Sequence, residues 1–221
     1  QGMYTCGGLL TPATGAALAR VAAWVVVSLD AADGDTYARE KRVPADRWRQ
    51  ACDGVRALTG QSATVGVSYL LTGENWTQAP VMVALSRRLG ATYTTFRPAV
   101  QVDARAPGVV LGDRAWVDEA QGLLHALATR NDVELDIARF ASYAGWQGHG
   151  YTSCTGPRYN TTITPDGRIW VCPQRRGVTA LGDLRREPFA AIWARHPGRV
   201  TVDAGCRALC RLHPVNAVLE A

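Results

Sequence analysis

The sequence predicts an α/β fold, a whole or partial β/α barrel over most of the chain, followed by a small cysteine-rich domain. Three observations predict it. Short β-prone apolar runs alternate with longer amphipathic ones from the start to about residue 137, the pattern of parallel strands joined by right-handed crossovers. The alternation stops after about residue 140. Beyond it lie four of the six cysteines, Cys154, Cys172, Cys206 and Cys210.

The elements follow in order. Residues 23–27 (AWVVV) are β-rich and end in Ser28-Leu29-Asp30. Residues 46–58 (DRWRQACDGVRAL) place apolar side chains at helical spacing. Residues 64–71 (TVGVSYLL) read as a buried strand, and the helix through APVMVALSRRLG stops at Gly90. Residues 92–96 and 113–128 repeat the strand and helix, and 133–137 suit one last strand. Residues 143–150 are rich in glycine and aromatics. Two β-prone runs, 160–163 and 168–171, then flank a Pro-Asp-Gly turn, so Cys154 and Cys172 are expected to close the two ends of a hairpin. The segment 181–199 reads as a short turn and a helix whose Phe189, Ile192 and Trp193 form one apolar face. A domain boundary is expected near residue 148, giving a partial barrel over 1–148 and a compact metal-organised domain over 149–221.

A chain of 221 residues can bury a core without staples. No apolar run approaches the roughly 20 residues of a membrane span, and nothing at the start has the form of a signal peptide. The expected localisation is therefore cytoplasmic, a reducing compartment in which clustered cysteines serve as metal ligands or redox groups more often than as disulfides. The net charge of +5 rests on arginines spread along the chain, with Lys41 the only lysine. Basic residues form no patch, and a nucleic-acid partner is not expected.

In parallel sheets the carboxyl ends of the strands make the ligand face. Ser28, Asp30, residues 72–75 and Arg97 are placed at that mouth. Each has a plain structural alternative: Asp30 as a cap, Asn75 in a turn, Arg97 in a surface ion pair. Four cysteines are the number a tetrahedral zinc or a cubane cluster requires. Cys206 and Cys210, with a three-residue spacer on a helical turn, can face one point. Disulfides, zinc and an iron–sulfur cluster are all compatible with four thiols. Zinc knuckles favour spacers of two to four residues, and the first spacer here is far longer. Cys52, inside a predicted helix, reads as a small buried apolar residue.

The spacing C-x12-G-x4-C of Cys154, Gly167 and Cys172, followed by the pair Cys206 and Cys210, resembles the SPASM or twitch extension of radical S-adenosylmethionine enzymes. The phrase TPDGRIWVCPQRRG…LGDLRREPFAAIW is similar to that family's stretch after its hairpin. Upstream, VVVSLDA, TVGVSYLLTGEN and LGATYTTFRP look like the fourth, fifth and sixth strands of the family's partial barrel, and TCGGLL (5–10) stands in the place of its Thr-Asn-Gly. The resemblance spans essentially the whole chain. It implies that Cys154, Cys172, Cys206 and Cys210 hold an auxiliary [4Fe-4S] cluster. It also implies that Ser28 and Asp30 lie near the ribose of S-adenosylmethionine and Arg97 near its carboxylate.

The implied chemistry is reductive cleavage of S-adenosylmethionine by a second [4Fe-4S] cluster. A 5′-deoxyadenosyl radical then takes a substrate hydrogen, and the auxiliary cluster accepts an electron or holds the substrate. Arg175 and Arg176, just after Cys172, are candidates for tuning the auxiliary potential. Two departures stand out. Four candidate cysteines, rather than seven, suit the single-cluster twitch form. The C-x3-C-x2-C that holds the cleaving cluster is absent, as is the Gly-Gly-Glu-type segment, so the sequence is expected to begin near the family's third strand and to lack its N-terminal part. S-adenosylmethionine and the second cluster are therefore expected only in the complete enzyme. The expected substrate is a peptide or protein, with an external electron donor. The alternatives are an aminocyclitol-type small-molecule dehydrogenase and a non-catalytic four-cysteine zinc or iron–sulfur module.

Overall fold

The computed structural model of the chain describes residues 1–99, 101–102, 109–110, 115–129, 134–136, 148–203, 206, 210 and 212–219. Two compact units divide it: Gln1–Val100 with Leu111–Ala144, and Gln101–Val110 with Gly145–Ala221. Residues 113, 133, 137 and 143–147, which belong to elements expected from the sequence, lie outside the described residues, as does the 207–209 spacer between Cys206 and Cys210.

The first unit is built on a parallel sheet of β1 (Gly2–Thr5), β2 (Trp24–Ser28), β3 (Thr64–Leu71), β4 (Tyr93–Pro98) and the strand Glu134–Asp136, side by side in that order. Crossovers run through α1 (Pro12–Val21), α2 (Gly34–Lys41), α3 (Asp46–Leu58), α4 (Ala79–Arg88) and α5 (Ala115–Ala128). α1 starts where Thr11 and Thr14 cap each other reciprocally and Pro12 supplies a preset first residue. α3 buries Ala51, Cys52, Val55 and Leu58, one helical face, against the sheet. Its Gly54 sits on the chain after β1: a Cβ there would lie 2.1 Å from the Gly7 carbonyl oxygen.

Pleating sends alternate strand residues to opposite faces. Val25, Val27, Val65, Val67, Tyr69, Leu71 and Phe96 point to the helices and form the core with Met82, Val83, Val117 and Leu124. The Tyr69 hydroxyl, buried in that core, meets the Met82 carbonyl and the Ser86 hydroxyl, both at 3.1 Å. Register assigns the other face to Tyr4, Val26, Ser28, Ser68, Thr95 and Arg97, with pairs Tyr4↔Val26, Ser28↔Ser68 and Ser68↔Thr95. β3 is thus buried on both sides, which explains its nearly continuous apolar run.

The carboxyl ends of β2 and β3 are pinned by Asn75, which is fully buried. Its Nδ2 donates to the carbonyls of Asp30 (3.1 Å) and Leu70 (3.0 Å), and its Oδ1 accepts from the Thr72 amide at 2.8 Å. Asn75→Ala removes all three bonds, of which that to the Asp30 carbonyl is buried, and a loss of about 2 kcal/mol is expected. Urea unfolding checks this, and an unchanged midpoint would show that water replaces all three bonds.

In the second unit, β5 (Gln101–Val102) and β6 (Val109–Val110) form a short antiparallel ribbon. With the strand Glu134–Asp136 numbered β7, β8 (Ser153–Cys154) pairs with β12 (Val200–Thr201), and β9 (Thr162–Ile163), β10 (Arg168–Trp170) and β11 (Ala180–Asp183) form a three-stranded sheet. Helices α6 (Phe189–Ala194) and α7 (His213–Leu219) follow. Two local expectations are corrected. Residues 181–183, read as a turn, belong to a strand that β10 recruits by long-range pairing, Arg168↔Asp183 and Ile169↔Gly182. Cys154 is not an end of the hairpin either. The turn Gly156–Arg158, led by Pro157, diverts the chain before β9, and Cys154 instead faces Val200 across β8 and β12.

The hairpin turn itself is as expected, with the Gly167 amide donating to the Thr164 carbonyl at 2.8 Å and Gly167 at φ +80°. A Cβ there would also press on Arg185 Cγ at 3.3 Å. Gly167→Val should cost about 1 to 2 kcal/mol of left-handed strain. Thermal unfolding reads the loss, and no change would mean that the turn relaxes to another type. Among the described residues no helix is long and apolar enough to cross a membrane.

Candidate functional site

Cys154, Cys172, Cys206 and Cys210 line one pocket of the second unit, and all four are free thiols. Each arrives on a different support. Cys154 is held in β8, Cys172 ends the run from β10 and starts the turn Pro173–Arg175, and Cys206 and Cys210 come from the segment before α7. Val200, Val202, Leu212 and Pro157 supply apolar wall. Two of these cysteines also belong to an apolar cluster of the unit: Val171, Cys172 and Leu212 pack with Leu181, Val200 and Cys210.

The sulfurs influence one another. Burial pushes the Cys210 thiol up, and charge on Cys172, Cys154 and Cys206 adds to the rise, while the Leu212 amide donates to its sulfur at 3.4 Å and opposes it. Among the described residues no three Cys, His, Asp or Glu side chains close tightly enough to hold one metal ion.

A polar wall completes it. The Tyr151 hydroxyl lies 3.1 Å from His213 Nδ1 and 3.3 Å from His149 Nδ1, and His149 Nε2 lies 3.3 Å from the Cys206 carbonyl. That carbonyl only accepts, so His149 donates from Nε2, its Nδ1 accepts from Tyr151, and His213 Nδ1 donates to the phenol oxygen. Burial pushes the Tyr151 phenol up to about 12, with charge on the neighbouring cysteines acting in the same direction. Arg175 Nη2 lies 3.4 Å from Cys206 Sγ, 2.8 Å from the Thr201 carbonyl and 2.7 Å from Asp203 Oδ1. The sulfur contact leads in raising the guanidinium pKa, with Asp203 adding to it and burial opposing it. Arg176 is exposed.

In the first unit Ser28 ends β2, and its hydroxyl donates to Asp30 Oδ2 at 2.8 Å. Asp30, buried and at φ +57°, accepts the Leu70 amide on Oδ1 at 2.6 Å and pairs through Oδ2 with Lys41. Lys41 Nζ also lies 3.4 Å from Ser28 Oγ. Arg97, on β4 and on the same sheet face as Ser28, donates from Nη2 to the Tyr4 hydroxyl at 2.6 Å and stacks over that ring at 5.2 Å. Arg97 Nε and Thr95 Oγ1 on this face are buried without a hydrogen-bond partner among the described residues. At the amino ends of the strands the face is covered by rings: Trp24 lies on Gly2 and Tyr93 on Gly66. Glu74 and residue 73 lie in the turn after β3, where the Glu74 amide is held by Thr72 Oγ1.

Lys41 and Tyr4 were not among the residues expected here. Lys41 could have been suspected as the sole lysine beside an otherwise arginine-based charge, whereas nothing in its neighbourhood marked Tyr4. His149, Tyr151 and His213 are spread across the sequence and carry no motif.

Residues 154–211, which include the four cysteines, match SPASM, an iron-sulfur cluster-binding domain. The chain thus combines a parallel α/β sheet unit with a region, later in the sequence, that matches this domain. Its fold is similar to SuiB of Streptococcus suis at a TM-score of 0.64 and 15% identity, covering 89% of this chain and 49% of that one. SuiB bound to S-adenosylmethionine matches at 0.61 and 14% identity over 89% and 48%, and SuiB bound to the precursor peptide SuiA at 0.59 and 15% over the same shares. The chain thus spans about half the length of SuiB. No curated protein matches it in sequence.

Proposed function

We propose that the chain is part of a cytoplasmic radical S-adenosylmethionine maturase acting on peptide or protein substrates, in which Cys154, Cys172, Cys206 and Cys210 hold an auxiliary [4Fe-4S] cluster. The convergence of these four thiols on one pocket, inside the segment that matches an iron-sulfur cluster-binding domain, carries the reading. The donor set fits: soft thiolates, apolar walls, and N–H donors from Leu212 and Arg175 aimed at sulfur. When bound, such a cluster takes up or returns one electron.

The partial barrel over 1–148 and the cluster domain over 149–221 have separate roles. In the first, Ser28 and Asp30 face the ribose of S-adenosylmethionine and Arg97 its carboxylate. This is supported by the common sheet face of Ser28 and Arg97, by the hydrogen bond from Ser28 to Asp30, and by Arg97 Nε and Thr95 Oγ1, which have no hydrogen-bond partner among the described residues. Lys41 and the Leu70 amide lock the Asp30 carboxylate, leaving the Ser28 oxygen as an acceptor at the mouth. Trp24 and Tyr93 line the floor at the amino ends of the strands. A peptide substrate is favoured because the structurally similar SuiB binds a precursor peptide. An external donor supplies the electrons, and no nucleic acid or membrane takes part. Anaerobic purification tests the cluster: about four irons per chain and a brown protein are expected, and a colourless protein holding one zinc overturns the proposal in favour of a partner-binding module.

A further inference from the structure

We propose that Arg175 sets the reduction potential of the group held by the four cysteines, and that Asp203 trims its effect. This rests on the cluster reading above. Arg175 Nη2 carries two protons and faces three acceptors: the Thr201 carbonyl at 2.8 Å, Asp203 Oδ1 at 2.7 Å and Cys206 Sγ at 3.4 Å. Asp203 and the sulfur therefore compete for a shared hydrogen. The Arg175 side chain is 13% exposed and that of Asp203 52%, so the cation acts through a low dielectric while water screens its counter-ion.

One-electron reduction adds a negative charge to the iron–thiolate unit without changing its ligands. A fixed cation donating to a ligand sulfur stabilises the reduced form more than the oxidised one and raises the potential. Arg175 does this without touching substrate, and is a positioning residue. Arg176, next in sequence but exposed, lacks the geometry.

The test is a dithionite-poised redox titration, followed by visible absorbance and electron paramagnetic resonance, on the anaerobically reconstituted full chain with its iron counted beforehand. Arg175→Gln should lower the midpoint, with about a tenfold shift in the reduction equilibrium, or about 59 mV for one electron. Asp203→Asn should raise it by freeing the shared hydrogen for sulfur, and Arg176→Gln should leave it in place. A merely structural Arg175 would not give opposite shifts from the two partners. Equal midpoints in the wild type and in iron-replete Arg175→Gln overturn the inference alone. If Arg175→Gln loses iron, Asp203→Asn decides: a raised midpoint supports the inference, and an unmoved or lowered one overturns it. A wild-type chain that takes up no cluster overturns the reading beneath it and this inference together.

Discussion

Cys172→Ser is expected to yield a colourless chain, with iron falling from about four per chain to near zero. Serine is a hard, weakly acidic donor, and iron–sulfur clusters are selected by soft thiolates. The loss should exceed that of one ligand, because two of the four cysteines also take part in an apolar cluster of the second unit. Val171, Cys172 and Leu212 pack there with neighbours that include Cys210, so ligand binding and packing are coupled. Cys154→Ser should behave alike, since Cys154 is the point where β8 meets β12. Cys6→Ser is the control: Cys6 is exposed and apart from the pocket lining, and its variant should keep full iron. Retention of iron and colour by Cys172→Ser would remove that residue from the ligand set.

What could be read from the sequence depended on how local its cause is. α3 over Asp46–Leu58 and β3 over Thr64–Leu71 appear with the predicted bounds, because each buries a face that its own spacing announces. α2 gave no such signal: Gly34–Lys41 is polar except for Tyr37 and Ala38, and it is started by the Asp33 side chain accepting the Thr36 amide at 2.8 Å. β11 was misread because a four-residue run has no period to detect and its pairing with β10 supplies the strand. The cysteine set was legible from residue type and number. Its supports were not, since the partner of Cys154 lies at Val200 and that of Cys206 at Arg175. Asp30 follows the end of β2, as its place in the sequence suggested, but its left-handed backbone and its bond to Leu70 depend on β3, forty residues away in sequence.

With the four-cysteine site fully loaded and dithionite present, the 221-residue chain by itself is expected to produce no 5′-deoxyadenosine from S-adenosylmethionine above a protein-free control. Cleavage in the resembled family needs an iron with an open position to take the amino and carboxylate groups of the cofactor, held there by C-x3-C-x2-C. That spacing occurs nowhere in these 221 residues. The two cysteines outside the pocket cannot improvise it. Cys52 is packed in the α3 core, and burial pushes its thiol up to about 11, whereas a ligand must be deprotonated. Cys6 is one thiol on its own. Binding and cleavage should therefore separate: the Ser28, Asp30 and Arg97 face can still retain the cofactor, and Arg97→Ala should weaken that retention in equilibrium dialysis while product stays at background. Turnover by the chain alone, surviving further purification and lost in Cys206→Ser, would mean that an iron of the pocket has the open position. The auxiliary assignment of Cys154, Cys172, Cys206 and Cys210 would then have to be given up.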